Sequence, residues 1–247
     1  MPEIRSAMEC ARVSRALCIC TTLEEFEDVH SLALQYDNFW STVGVHPDNE
    51  GVREPSLHDL LVRGDLPRVV AIGETGLDYY RLNGRTVADM AWQRDRFRTH
   101  IRAAQTLKKP LVIHTRNASE DTLAILKEEG EDGRAGAAGG VFHCFTETAA
   151  VAEAALALGF YISFSGILTF KTAQDLREVA TWVPMDRLLI ETDSPYLAPT
   201  PFRGKTNKPS YVPLVAQQIA TLRGCSVEEV GTASSQNFTR LFAGVAA

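Results

Sequence analysis

The chain contains no apolar run as long as the roughly eighteen residues needed to cross a bilayer as a helix, so it reads as having no membrane association. It holds only five cysteines, an odd number without regular spacing, which argues against a disulfide-built secreted scaffold and suits a reducing cytoplasm. Cys18 and Cys20 alternate within an apolar run and read as buried thiols rather than ligands. There is no excess of positive charge: 25 Lys and Arg face 31 Asp and Glu, a net −6. A protein that coats DNA nonspecifically is therefore disfavoured, and a phosphate-bearing partner must be drawn by metal ions or a local basic loop. No Gly-rich phosphate fingerprint follows the first strand pattern, which weakens a dinucleotide-binding reading. The opening "MPEIRSAMECARVSRALCIC" has early acidic residues and no apolar core segment, arguing against a signal peptide. No feature points to an obligate protein partner.

What is present is a repeat of strand, then helix. Apolar runs occur at "SRALCICTT", "FWSTVGVHP", "RVVAIGETGLD", "PLVIHTR", "GGVFHCFT", "FYISFSGI" and "RLLIETDSP". Between them lie amphipathic stretches such as "EEFEDVHSLALQYD", "MAWQRDRFRTHIRAAQTLK" and "SEDTLAILKEEG". Strands recur about every thirty residues, the size of a βα unit. Near-continuous apolar strands separated by helices predict an α/β fold with a parallel sheet, in one domain over residues 1–247. The pattern alone leaves a doubly wound sheet and a barrel both open. The chain begins on a helix, "PEIRSAMECAR", so an eight-stranded barrel would lack its first strand.

In parallel barrels the chemistry sits at the C-terminal ends of the strands. Here those ends carry His46, Glu74 with Asp78, His114, His143 and Asp193. Each has an ordinary explanation: a turn cap for His46, an arginine partner for Glu74, satisfied core histidines at 114 and 143, an N-cap for Asp193. Together, imidazoles and carboxylates at matched strand ends suit a shared site for Zn²⁺, Mn²⁺ or Mg²⁺. Asp78 reads as structural or substrate-side. Glu191 shares a strand face with Asp193 and reads either as a group orienting a ligand or as a paired buried charge. After the last strand, "TPFRGKTNKPSYV" places Arg203, Lys205 and Lys208 in a basic loop suited to clamping phosphate.

The motifs "GVHP", "AIGETGLDYY", "PLVIHTR", "FHCFT", "GFYISFSGI", "LLIETDSPYLAP" and "FRGKTNKP" resemble, in order, those of the TatD family of metal-dependent deoxyribonucleases, in its YcfH-like branch. The resemblance implies a TIM-type (β/α)8 barrel and hydrolysis of DNA phosphodiesters, single-stranded or at 3′ ends, with one or two divalent ions. It implies Glu74, His114, His143 and Asp193 as metal ligands, with His46 and Arg203 facing the substrate phosphate. On that footing Asp193 is the expected general base and Lys205 helps steady the phosphate. One departure stands out: the family's opening strand with its His-x-His pair has no counterpart here. The start reads as internal to a longer protein. In the chain as given, Glu74, His114 and His143 are expected to hold the tighter ion, with weakened activity. The alternatives are an amidohydrolase acting on a small amide or ester, and a catalytically impaired nucleic-acid binder, for which no aromatic–basic stripe is visible.

Overall fold

The alternating pattern resolves, in a computed structural model that describes residues 1–245, into seven strands and nine α-helices. In chain order these are α1 (Pro2–Cys10), β1 (Ala16–Cys18), α2 (Phe26–Gln35), β2 (Phe39–Val43), α3 (Leu57–Gly64), β3 (Val69–Asp78), α4 (Ala91–Leu107) and β4 (Leu111–Arg116). There follow α5 (Ser119–Glu128), β5 (Gly140–Phe142), α6 (Ala149–Ala157), β6 (Tyr161–Phe164), α7 (Gln174–Trp182), β7 (Leu188–Ile190), α8 (Val212–Arg223) and α9 (Val227–Leu241). This is the α/β, TIM-barrel kind of order that the sequence predicts. Two compact units are distinguished by packing, both discontinuous in sequence. One comprises Met1–Ala16, His143–Leu156 and Tyr161–Arg240; the other comprises Leu17–Phe142, Ala157–Phe160 and Leu241–Val245.

In the unit that contains β2 to β5, all ten residues of β3 are buried, as a strand sandwiched between neighbours requires. It pairs in parallel with β2 (Thr42 opposite Ala71, Val43 opposite Ile72) and with β4 (Gly76 opposite His114, Asp78 opposite Arg116). The β3–β4 register shifts between Ile72 and Thr75, so one extra β3 residue is accommodated where Glu74 lies. Such a bulge re-aims a side chain without ending the strand. Gly44 makes room for it: a Cβ at Gly44 would come within 2.4 Å of the Gly73 carbonyl carbon. Gly76, at φ +128°, likewise lets the His114 backbone approach where a Cβ would meet its carbonyl oxygen at 2.0 Å.

Helix α4 packs on this strand through Phe97, Ile101 and Ala104, the 3.6-residue period of a core face. The same face also buries Gln93, Arg96 and His100, polar residues where an apolar one is the rule.

In the unit that contains β6 and β7, these strands pair in parallel (Ile162 opposite Leu188, Phe164 opposite Ile190). The Glu191 amide continues the ladder to the Phe164 carbonyl at 3.0 Å, carrying the extended chain one residue beyond β7. Asp193 follows in the left-handed region at φ +56°, which aspartate tolerates better than most residues. Phe145 packs edge-on against Phe164 beneath this end.

Candidate metal centre

Among the described residues two groups of donors have ligand atoms within 4.8 Å of one another: His46, Glu74 and His114 in one unit, and His143, Glu191 and Asp193 in the other. His143, expected beside Glu74 and His114, is thus brought to Glu191 and Asp193. Glu191, which the sequence left between two roles, enters the second group.

In the first group, Glu74 Oε1 lies 3.2 Å from His46 Nε2 and 3.3 Å from His114 Nδ1. The two rings are themselves set edge to face, 4.5 Å between centroids. Which nitrogen carries the proton follows from the opposite edge of each ring. Asp78 Oδ2 lies 2.9 Å from His114 Nε2, so that nitrogen donates and the Nδ1 lone pair faces Glu74. Two electron-pair donors aimed at each other leave room for a cation between them. The carboxylate–imidazole relay is the usual way a ligating histidine is oriented.

His46 is the reverse case. The Asp48 N–H donates to its Nδ1 at 3.0 Å, so the neutral ring carries its proton on Nε2. That nitrogen is a donor, suited to an anionic oxygen rather than to a metal. The donor set therefore fits a divalent ion at Glu74 and His114: an ion with donors about 2.1 Å away in a tetrahedral shell holds them roughly 3.4 Å apart.

Asp78 is the residue most underrated from sequence. It ends β3, and it is buried. Burial alone would push its carboxyl up. The His114 hydrogen bond, the Tyr80 amide at 2.8 Å and the Arg116 charge outweigh that and hold it below the ordinary carboxylate range. The signal was available: residues 74, 76 and 78 alternate onto one strand face.

In the second group His143 Nδ1 lies 3.3 Å from Glu191 Oε1, again a spacing that an ion can span. Two carboxylates and an imidazole form a harder donor set than the first, favouring Mg²⁺ or Mn²⁺. Of the basic loop, Arg203 and Lys205 are exposed, and the Arg203 guanidinium lies 4.3 Å from the Phe170 ring centroid. Cys18 and Cys20 belong to neither group, and burial pushes both thiols up to about 11.

Two α4 residues hold the loop that carries His46. Arg96, 3% exposed, donates from one guanidinium nitrogen to the carbonyls of His46 (2.8 Å) and Asn49 (2.9 Å), and from Nε to Glu54 at 2.9 Å. His100 accepts the Val45 N–H at Nε2 (3.0 Å) and donates from Nδ1 to the Arg96 carbonyl (2.8 Å). Sequence reasoning missed both, although polar residues at core positions of an amphipathic helix were the available signal.

His100 gives a pH dependence. Burial, outweighing the Arg96 carbonyl bond and reinforced by the Arg96 charge, pushes its ring from an ordinary 6.5 down to about 4. The unfolded chain therefore takes up a proton below about pH 6.5 that the folded chain refuses until about pH 4. Stability should fall by roughly 3 kcal/mol as pH drops through that window. Urea melts from pH 7 to 4 would show it. His100→Gln, which offers an acceptor and a donor without a titratable ring, should flatten the fall; an unchanged slope would assign the acid sensitivity elsewhere.

Comparison with known proteins gives the family. The family model described as TatD related DNase matches residues 2–243. The chain is 47% identical to the "uncharacterized metal-dependent hydrolase YcfH" of Escherichia coli K12, covering 93% of this chain and 83% of that protein. It is 36% identical to the "3′-5′ ssDNA/RNA exonuclease TatD" of Erwinia tasmaniensis, covering 97% and 92% of the two. Among solved structures, YjjV, a TatD homologue from E. coli K12, superposes with a TM-score of 0.88 at 26% identity, covering 98% of this chain and 91% of that one. With its parallel α/β fold, its strand-end donors and a family match over nearly its whole length, this chain belongs to the TatD-related DNase family of metal-dependent hydrolases.

Proposed function

We propose that the protein is a divalent-metal-dependent phosphodiesterase acting on single-stranded nucleic acid, removing nucleotides from the 3′ end. The observation that carries the metal dependence is the opposed pair Glu74 Oε1 and His114 Nδ1, 3.3 Å apart, with Asp78 fixing the ring so that its lone pair faces the carboxylate. The substrate class is supported by the exonuclease activity named for the Erwinia relative.

In this reading Glu74 and His114 hold one ion, and His143 with Asp193 holds a second. A bound divalent ion supplies Lewis acidity, drawing charge from the attacked phosphate and making water more acidic. Asp193 accepts the proton of the attacking water. His46 offers its Nε2–H to a non-bridging phosphate oxygen, and Arg203 with Lys205 offsets the remaining charge. Free thiols at all five cysteines agree with a reducing, cytoplasmic setting.

Incubation with 5′-labelled single-stranded DNA tests the reading. Stepwise shortening from the 3′ end is expected with Mn²⁺ or Mg²⁺, abolished by chelator and restored by excess metal. Shortening that survives complete chelation would remove the metal role. Cleavage of p-nitrophenyl acetate without any action on DNA would favour a carboxylic-ester or amide hydrolase.

A further inference from the structure

The loop after β7 carries an aromatic ring that packing does not account for. Tyr196 is 71% exposed, the largest value among the exposed large hydrophobic side chains of the described residues. Its backbone is nevertheless firmly held. The Tyr196 N–H donates to the Asp193 carbonyl at 2.9 Å. Asn207, 3% exposed, donates its side-chain amide to the carbonyls of Thr192 and Tyr196, both at 2.6 Å, and its own N–H to that of Pro195 at 2.9 Å. A flexible loop with an incidental tyrosine would not be pinned by a buried asparagine at three points. The backbone that carries the ring is held in a fixed place, three residues from Asp193.

Around this loop the same unit gathers further flat surfaces and cations. Phe202 and Tyr211 stack face to face, 4.2 Å between centroids and 4° from parallel. The Arg203 guanidinium lies over Phe170, and the Lys205 ammonium stands 5.9 Å from the Phe202 ring. Arg203, Lys205 and Lys208 are all exposed. Phe202 and Tyr211 already flank the basic residues in the linear sequence, and Phe170 joins them from the turn after β6.

One exposed ring on a pinned loop, in a segment that also carries half-buried rings beside exposed cations, matches the chemistry of single-stranded nucleic acid, whose bases offer π-faces and whose backbone offers negative charge. Small anionic phosphoesters would need the cations but not the rings. We infer that Tyr196, with the Phe170–Arg203 and Phe202–Tyr211 pairs, forms a base-stacking subsite for the strand whose phosphodiester is cleaved. This rests on the phosphodiesterase reading and adds to it how a strand is told from a small phosphoester. Tyr196 is the base contact, and the loop cations follow the backbone.

The test compares the full chain with Tyr196→Ala and Tyr196→Phe on two 5′-labelled oligodeoxynucleotides, one normal and one with abasic sites over its last three nucleotides. For Tyr196→Ala the ratio of KM on the normal strand to KM on the abasic strand should rise about tenfold, within the range of one base–aromatic stack. Tyr196→Phe, which keeps the ring, should restore the wild-type ratio. An alanine variant whose ratio matches wild type would overturn the subsite while leaving the phosphodiesterase reading intact. If wild type cuts neither strand, that reading fails separately. Fluorescence of 2-aminopurine in the same strand, bound in chelator, then decides the subsite: quenching that is lost in Tyr196→Ala supports it, and no quenching with wild type overturns it.

Discussion

Replacing Asp193 by asparagine is expected to lower kcat on single-stranded DNA by roughly a thousandfold, the middle of the range for losing a positioned general base. Asparagine has nearly the same shape and accepts the left-handed backbone that Asp193 adopts at φ +56°, so the fold should survive. What it cannot do is take up a proton near neutral pH. Glu191 stands in the same donor group but continues the β-ladder through its backbone, as the Phe164 bond shows. If Glu191 only orients His143, Glu191→Gln should cost about tenfold to a hundredfold through metal affinity, and added Mn²⁺ should recover part of it. Single-turnover rates at saturating metal would separate the two. An Asp193→Asn rate within tenfold of wild type would move the base elsewhere in the protein.

Replacing Arg96 by methionine should destabilise the protein by about 3 kcal/mol, because it removes a buried guanidinium and leaves the loop carbonyls it serves without their donor. The guanidinium serves the carbonyls of His46 and Asn49 and the Glu54 carboxylate, and it also lies 4.8 Å from the Trp92 ring centroid. Methionine fills much of the volume but leaves two loop carbonyls without their donors. Glu54 is more than half exposed and can rehydrate, which keeps the cost from being larger. The loss should also appear in function, since the His46 carbonyl is one of the anchors: KM for DNA should rise in Arg96→Met even at temperatures where the variant is fully folded. Urea denaturation with kinetics at low temperature would check both. A stability change below about 1 kcal/mol would mean the loop holds its shape without the clamp.

Much of this molecule was legible in one dimension. Strand and helix patterns carry their own periods, two and 3.6 residues, and these belong to the chain itself. The apolar runs at "RVVAIGETGLD" and "PLVIHTR" therefore became β3 and β4, and "MAWQRDRFRTHIRAAQTLK" became α4. Strand order along the chain also placed Glu74, His114, His143 and Asp193 at corresponding ends, where side chains outlast the apolar run. The resemblance to the TatD motifs rests on the same local stretches, and the family match extends it over residues 2–243.

What only the tertiary structure decided are the relations between residues far apart in sequence. The sequence names His46 and His114 alike as strand-end histidines. The Asp48 amide on one ring and the Asp78 carboxylate on the other put the proton on Nε2 in both, but the rings are turned oppositely, so Glu74 meets an N–H from His46 and a lone pair from His114. Arg96 and His100 look like ordinary helix polarity until α4 turns them inward against the carbonyls and amide of the His46 loop. Phe170 meets the Arg203 guanidinium only once the chain has folded back on itself. Period and composition fix what each segment becomes because they act over a few residues; proton placement and ring stacking depend on single atoms brought within 3 to 5 Å by register, bulge and loop, which no local pattern encodes.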